Sequence, residues 1–141
     1  MYQKVVIIGN LGRDPEMKYT PKGTAVTHFP LASNRKWKNP DGSDGEETVW
    51  FRVSVWGKMA EACNQYLAKG RQVYVEGTLT PDEKGNPRTF QRQDGTSGAS
   101  FEVNAGTVKF LGQRGEKVEG AGVEEPEEPP AGFTEENEIP F

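Results

Sequence analysis

The chain has 141 residues, of which 33% are hydrophobic, and it contains 17 glycines and 10 prolines. This length fits one domain of ordinary size, and the low apolar content predicts that part of the chain does not fold. No run of about 18 apolar residues is present, which argues against a membrane-spanning helix, and the opening MYQKVVIIGN lacks the form of a signal peptide. A single cysteine suits the reducing cytoplasm, where we expect the protein, and one histidine with one cysteine predicts no metal site and no cofactor.

Charge is distributed unevenly along the chain. Residues 1–112 hold 15 Lys+Arg and 12 Asp+Glu, a net +3, whereas residues 113–141 hold 2 and 9, a net −7, which together give the overall −4. A mildly basic domain with an acidic appendage is the charge asymmetry of some nucleic-acid-binding proteins. A tail that only increases solubility would carry the same charge, so both interpretations stay open at this point.

Hydrophobic alternation and turn residues predict five strands and one helix within residues 1–112. The predicted strands are Tyr2–Ile8, Ala25–Asn34, Thr48–Trp56, Gln72–Leu79 and Ser100–Leu111, and the helix is Lys58–Leu67. Shorter extended segments are expected at Glu16–Tyr19 and Arg88–Arg92, turns at Gly9-Asn10 and in the polar segment Arg35–Glu47, and a bulge at Gly106. This order, with the helix between the third and fourth strands, predicts an all-β fold: the OB-fold, a five-stranded Greek-key barrel whose open face binds oligonucleotides or oligosaccharides.

The third predicted strand, TVWFRVSVW, carries large aromatic rings on its polar side. Val49, Phe51, Val53 and Val55 form an ordinary core face, and the opposite face carries Thr48, Trp50, Arg52, Ser54 and Trp56. Rings alternating with a cation suit a flat, negatively charged ligand such as the bases and phosphates of a nucleic acid. A strand buried on both faces would also contain tryptophan, but a buried unpaired Arg is costly, which favours exposure.

The predicted helix carries an apolar stripe of Met59, Ala62, Cys63, Tyr66 and Leu67. We therefore expect Cys63 to be a core residue and not a nucleophile. No acid–base pair, nucleophile or metal cluster can be assembled from the other residues, so we expect that the protein is not an enzyme.

The composition changes after Gly112. Residues 113–137 contain EEPEEPP and few apolar residues, which predicts a disordered acidic linker. The last four residues, Glu138, Ile139, Pro140 and Phe141, combine apolar and acidic side chains. They are interpreted as a short partner-binding tip, although a C-terminus without function is the alternative.

Three stretches together resemble the bacterial single-stranded DNA-binding protein family. They are KVVIIGNLGRDPEMKYTPKGTAV, TVWFRVSVWGKMAEACNQYLAKGRQVYVEG and the terminal EIPF, and RQDGTSGASFEV is also similar. The resemblance covers residues 1–112 and the tip. It implies an OB-fold protomer in a homotetramer, around which single-stranded DNA wraps. It also implies a tip that recruits replication, recombination and repair proteins.

The resemblance also implies which side chains contact DNA. The aromatic residues are Trp37, Trp50, Trp56 and Phe90, and the basic positions are Lys4, Arg52, Lys58 and Lys69. Charge and spacing add Arg35, Lys36 and Lys38 around Trp37, and Arg88 and Arg92 around Phe90. A carbohydrate-binding OB module and a protein-interaction adaptor are the alternatives, but the first needs few cations and the second leaves the Trp/Arg face unexplained.

Overall fold

The computed structural model describes residues 1–112, and the linker and tip predicted at 113–137 and 138–141 lie outside the described residues. The elements in chain order are β1 Val5–Leu11, β2 Glu16–Tyr19, β3 Ala25–Lys38, β4 Asp44–Trp56, α1 Lys58–Tyr66, β5 Gln72–Leu79, β6 Arg88–Gln91 and β7 Ser97–Phe110. The helix lies between the third and fourth of the five long strands, as predicted. No helix within residues 1–112 has the length and apolar character needed to cross a membrane.

The long strands close into a barrel. Neighbouring strands follow the order β1-β5-β7-β4-β3-β2, and β1 also pairs with β3, so the sheet returns to its starting strand. The β4–β7 pair is parallel, and the other pairs are antiparallel. Strands β1, β3, β4, β5 and β7 therefore form a closed five-stranded barrel with OB topology, which confirms the predicted fold class.

The barrel interior is filled by alternate residues of its strands, because side chains of a strand point in turn to its two faces. Fully buried side chains include Phe29, Leu31, Val53, Val55, Val73, Val75 and Val103. Thr27 is also buried, and its hydroxyl donates to the carbonyl oxygen of Ala60 at 2.7 Å, which ties β3 to α1. The prediction that Val53 and Val55 face the core is confirmed.

Helix α1 packs on the barrel through a narrower stripe than predicted. Ala60, Cys63 and Leu67 are buried, whereas Met59 and Tyr66 are exposed. A helix that packs on one surface buries only residues spaced by three and four positions, because it has 3.6 residues per turn. Burial raises the pKa of the Cys63 thiol to about 12, which agrees with the predicted inert core cysteine.

Strand β1 closes the barrel at a glycine. The prediction of a turn at Gly9-Asn10 is wrong, because β1 continues to Leu11 and pairs with β3 at Asn10–Ala32. A Cβ at Gly9 would collide with the carbonyl oxygen of Ala32. Glycine is therefore required for the close approach of β1 and β3, and a turn is not its role here.

A bulge at Gly106 changes which side of β7 faces the core, as predicted. The register with β5 shifts between Glu76 and Gly77, and the buried side chains change from Val103 and Ala105 to Val108. Alternation predicts that Phe101 points inward with Val103, but Phe101 is 54% exposed. Phe101 is the register partner of Phe51 on β4, and the residues just before it, 97–100, extend beyond the core to pair with β6.

Candidate nucleic-acid interface

The outer face of β4 carries Trp50, Arg52, Ser54 and Trp56, and it is open to solvent. Trp50 is 53% exposed and Trp56 is 46% exposed, so the alternative of a strand buried on both faces is wrong. Outward residues of a strand are spaced by about 6.7 Å, which separates the two tryptophans by about 20 Å along β4. Their partners on the same face of β3 are Ala32, Pro30, His28 and Val26.

A groove of about 590 Å³ lies over the half of this face that contains Trp50 and Arg52. We refer to it as the aromatic groove. The β6–β7 hairpin forms one wall, and the loop after β1 and strand β3 form the rest. Residues that line it include Arg13, His28, Trp50, Arg52, Arg88, Phe90 and Glu102. The structure therefore brings together four of the sequence-predicted residues: Trp50, Arg52, Arg88 and Phe90.

Two aromatic side chains of the groove closely approach glycines. A Cβ at Gly12 would lie 2.5 Å from Cζ3 of Trp50, and a Cβ at Gly98 would lie 2.7 Å from Cζ of Phe90. Each ring thus occupies the space that the side chain of any residue other than glycine would fill. The glycine lets the ring lie close to the backbone, and about half of the ring stays exposed for a ligand to stack on.

Trp56 is held by a different contact. Its indole Nε1–H donates to the Asn104 side-chain oxygen at 3.0 Å, across the parallel β4–β7 pair. This hydrogen bond fixes the ring on the outer face of β4 while nearly half of its surface stays exposed. A preorganised ring loses little conformational entropy when a base stacks on it.

Three arginines of the groove form no ion pair in the described part of the chain, although Asp14, Glu16 and Glu102 also line it. Three ion pairs form within residues 1–112, and none of them includes Arg13, Arg52 or Arg88. Arg92 lies over the Phe90 ring at 5.4 Å and donates to the carbonyl oxygen of Ser97. Arg13, Arg52 and Arg88 can therefore pair with an anionic ligand. Arg92 instead supports the Phe90 ring by a cation–π contact.

The β3–β4 hairpin extends well beyond the barrel as a two-stranded ribbon. The polar segment predicted as a hairpin tip is strand through Lys38 and again from Asp44. Ion pairs Arg35–Glu47 at 3.0 Å and Lys38–Asp44 at 2.7 Å join the two strands, and Lys36 is the register partner of Glu46. Cross-strand opposite charges stabilise such a ribbon, which explains why the strands are longer than predicted.

Trp37 lies on this ribbon, on the face opposite to Trp50 and Trp56. The β3–β4 register is unbroken, so Trp37 shares a face with Arg35 and Gly45, whereas Trp50 and Trp56 share the other. The Trp37 ring covers Gly45, and the Arg35 guanidinium lies 5.1 Å from its centroid. Trp37 is thus a supported and 40% exposed ring that stands apart from the aromatic groove.

The three remaining predicted lysines lie at different places. Lys58 begins α1, two residues after Trp56. The backbone N–H of Lys69 donates to a side-chain oxygen of Asp14, which lines the groove. Lys4 is on another side of the barrel, where its hydrogen bond to Glu76 at 2.8 Å raises the pKa of Lys4. The structure brings Lys58 and Lys69 near the two ends of the β4 face, but not Lys4.

Several residues of the groove were not predicted from the sequence, among them His28 and Arg13. His28 follows Thr27 and precedes Phe29, so strict alternation already assigns it to the outer face of β3. Arg13 belongs to a loop, where no periodicity exists to indicate its direction. Its place in the groove follows only from the barrel, which brings that loop beside Trp50.

The fold and the groove define an OB domain with an open face suited to an oligomeric ligand. The model of the single-strand binding protein family matches residues 2–111, and the chain belongs to that family. A single-stranded DNA-binding protein of Neisseria meningitidis serogroup A is 39% identical over 122 residues, 86% of this chain and 67% of the relative. One from Xanthomonas axonopodis pv. citri is 43% identical over 113 residues, 80% of this chain and 59% of the relative.

Two solved structures of similar fold are also of single-stranded DNA-binding proteins. The Plasmodium falciparum SSB in complex with ssDNA superposes with a TM-score of 0.63 at 26% identity, covering 79% of this chain and 96% of that one. A deletion mutant of the single-stranded DNA-binding protein from Thermus aquaticus gives 0.60 at 29% identity, covering 81% of this chain and 52% of that one. The chain thus spans about half of the length of the Thermus protein.

Proposed function

We propose that this protein binds single-stranded DNA without sequence preference and protects it during replication, recombination and repair. The observation that carries the proposal is the outer face of β4, where two supported, exposed tryptophans flank an arginine with no carboxylate partner in residues 1–112. Every base has a π-face, so stacking on such rings tolerates any sequence. The names of the relatives, which describe single-stranded DNA binding, support the same role.

Phosphate contacts supply the second part of the proposed mechanism. Residues 1–112 carry a net +3, and Arg52, Arg88 and Arg13 gather at the aromatic groove. Neutralising phosphates releases counterions, so affinity falls steeply as salt is raised. The role is one of binding and not of catalysis, and we assign it to the bacterial cytoplasm, at the nucleoid.

A titration with competing polymers tests this proposal. Labelled oligo-dT should bind in a fluorescence anisotropy assay, and unlabelled single strands of any sequence should displace it. Duplex DNA and oligosaccharide should displace it far more weakly. Displacement by single-stranded RNA shows whether the protein distinguishes ribose from deoxyribose. The logarithm of the binding constant should fall with the logarithm of salt by about 0.7 for each phosphate neutralised. Displacement by oligosaccharide at equal strength, with no salt dependence, would favour the carbohydrate-binding alternative.

We further propose that the protein assembles as a homotetramer. Val6 and Ile8 of β1 are 53% and 38% exposed, and they lie in register with Glu76 and Tyr74 of β5 on the outside of the barrel. Lys4 and Tyr74 both hydrogen-bond to Glu76, and the hydrogen bond from Lys4 lowers the pKa of the Glu76 carboxyl. This apolar and internally paired surface suits a second copy of the chain. The solution mass by sedimentation tests it, and a monomer at micromolar concentration would contradict it.

The acidic segment is proposed to recruit partner proteins through Glu138, Ile139, Pro140 and Phe141. The support is compositional, since two apolar side chains end a segment with 9 Asp+Glu and 2 Lys+Arg. Apolar anchors with nearby carboxylates suit a pocket that has a basic rim. Replication, recombination and repair proteins are the proposed partners.

The same segment should compete with DNA for the basic face. Deleting residues 113–141 changes the net charge from −4 to +3, so binding of oligo-dT should become tighter by about threefold to tenfold at low salt. The difference should disappear near 0.3 M salt because of screening. The double variant Ile139→Ala and Phe141→Ala keeps the charge and should leave DNA affinity unchanged. Equal affinities of the full and shortened chains at low salt would reject the competition.

A further inference from the structure

His28 is the single histidine of the chain, and it lies in the aromatic groove. Its register partner is Ser54, so the next outward residues of β4 on either side are Arg52 and Trp56. The imidazole Nδ1 is 2.9 Å from the hydroxyl oxygen of Ser54, the one hydrogen bond that the ring makes within residues 1–112. The other ring nitrogen, Nε2, is therefore available to a ligand.

Charged side chains face the imidazole from each strand that packs beside it. Burial of the ring, followed by the positive charges of Arg52 on β4 and Lys18 on β2, lowers the pKa of His28. Glu102 on β7 and Glu16 on β2 oppose this effect only in part. In the free protein the ring is thus neutral at pH 7.5, although it stands in a place where an anion would be attracted.

We propose that His28 is a phosphate-binding residue of the aromatic groove, and that it takes up one proton from solvent when single-stranded DNA binds. The inference rests on the proposed function. A backbone phosphate that meets Arg52 offsets the positive charge of Arg52, which acts on the imidazole in addition to burial of the ring and the charge of Lys18. The imidazolium then donates one N–H to the Ser54 oxygen and the other, from Nε2, to a phosphate oxygen.

Proton uptake fixes the sign of the pH dependence. The bound state holds the proton more tightly than the free state, so affinity is lowest at high pH and rises as the pH falls through the bound-state pKa. An opposite charge within about 4–6 Å shifts a pKa by one unit or more. Affinity for oligo-dT should therefore increase severalfold between pH 8 and pH 6 at constant salt.

The test compares the full chain with His28→Gln and His28→Lys. Gln can still hydrogen-bond to Ser54 but cannot take a charge, so its affinity should be nearly flat from pH 8 to pH 6. Lys is charged throughout, so its profile should also be flat, with affinity at pH 8 at least equal to that of the unmodified chain. All other ionisable groups are common to the three proteins, so the difference between profiles isolates the imidazole.

A proton NMR titration of the His28 ring gives a second measurement. The titration midpoint should move to higher pH when oligo-dT is present. Parallel pH profiles for the unmodified chain and His28→Gln would overturn the inference. A midpoint that is unchanged or lower with DNA would also overturn it, and a lower midpoint would indicate that a base covers the ring. If no variant binds oligo-dT at any pH, the proposed function itself fails, and that outcome is distinct from parallel profiles.

Discussion

The chain that combines Trp50→Ala with Trp56→Ala should bind oligo-dT at least about 30-fold more weakly than the unmodified chain. Stacking on an aromatic side chain contributes about 1–3 kcal/mol per base, so loss of both rings removes about 2 kcal/mol or more, and 1.4 kcal/mol corresponds to tenfold. Both rings are also about half buried, so their removal costs some packing, and circular dichroism must show that the double variant is folded under the conditions of the titration. Anisotropy titration at fixed salt measures the effect.

Single substitutions separate the contributions of the two rings. Trp50 is supported by Gly12 and lines the groove, whereas Trp56 depends on its hydrogen bond to Asn104. Tyr19→Ala is the matched control, because Tyr19 is 61% exposed and is paired with Ala25, on the other face of the sheet. If the double variant retained the original affinity, or if Tyr19→Ala weakened binding equally, the β4 face would not be the stacking platform.

Gly9→Ala should destabilise the barrel by about 3 kcal/mol or more. The added Cβ would meet the carbonyl oxygen of Ala32, a backbone atom that cannot rotate away, and overpacking of this kind costs about 1–3 kcal/mol, occasionally more. The β1–β3 contact closes the barrel, so relief of the collision requires the two strands to separate. The midpoint of thermal unfolding should fall by about 10–20 °C.

Gly106→Ala is the control for this substitution. Gly106 also lies in a barrel strand, but a Cβ there would have no neighbour within 4 Å, so its unfolding midpoint should change by no more than about 3 °C. The proteins must be compared at one concentration, since assembly makes the midpoint concentration-dependent. A Gly9→Ala protein as stable as Gly106→Ala would show that the close approach of β1 and β3 is not required.

Local alternation explains what could be predicted from the sequence. The core and outer faces of β4, the helix after it and the bulge at Gly106 each depend on neighbours within a few positions. Alternation along a single strand is therefore enough to assign Trp50 and Arg52 to an exposed face. The change from a net positive to a net negative charge after Gly112 can likewise be counted from the sequence alone.

The remaining features depend on contacts between distant parts of the chain. The sequence groups Trp37 with Trp50, but the unbroken β3–β4 register puts them on opposite faces, and neither strand alone determines that register. The sequence also groups Lys4 with the other basic residues, yet Lys4 is paired with Glu76, 72 positions away. Phe90 enters the groove because β6 pairs with the early part of β7.

Intrinsic tryptophan fluorescence reports whether DNA bases stack on the outer face of β4. The chain has 3 tryptophans, so Trp37→Phe leaves only Trp50 and Trp56 to report on the β4 face. Addition of oligo-dT to this variant should quench the fluorescence in proportion to the fraction bound, and duplex DNA should not. Binding of oligo-dT seen by anisotropy without quenching of these two tryptophans would contradict the account.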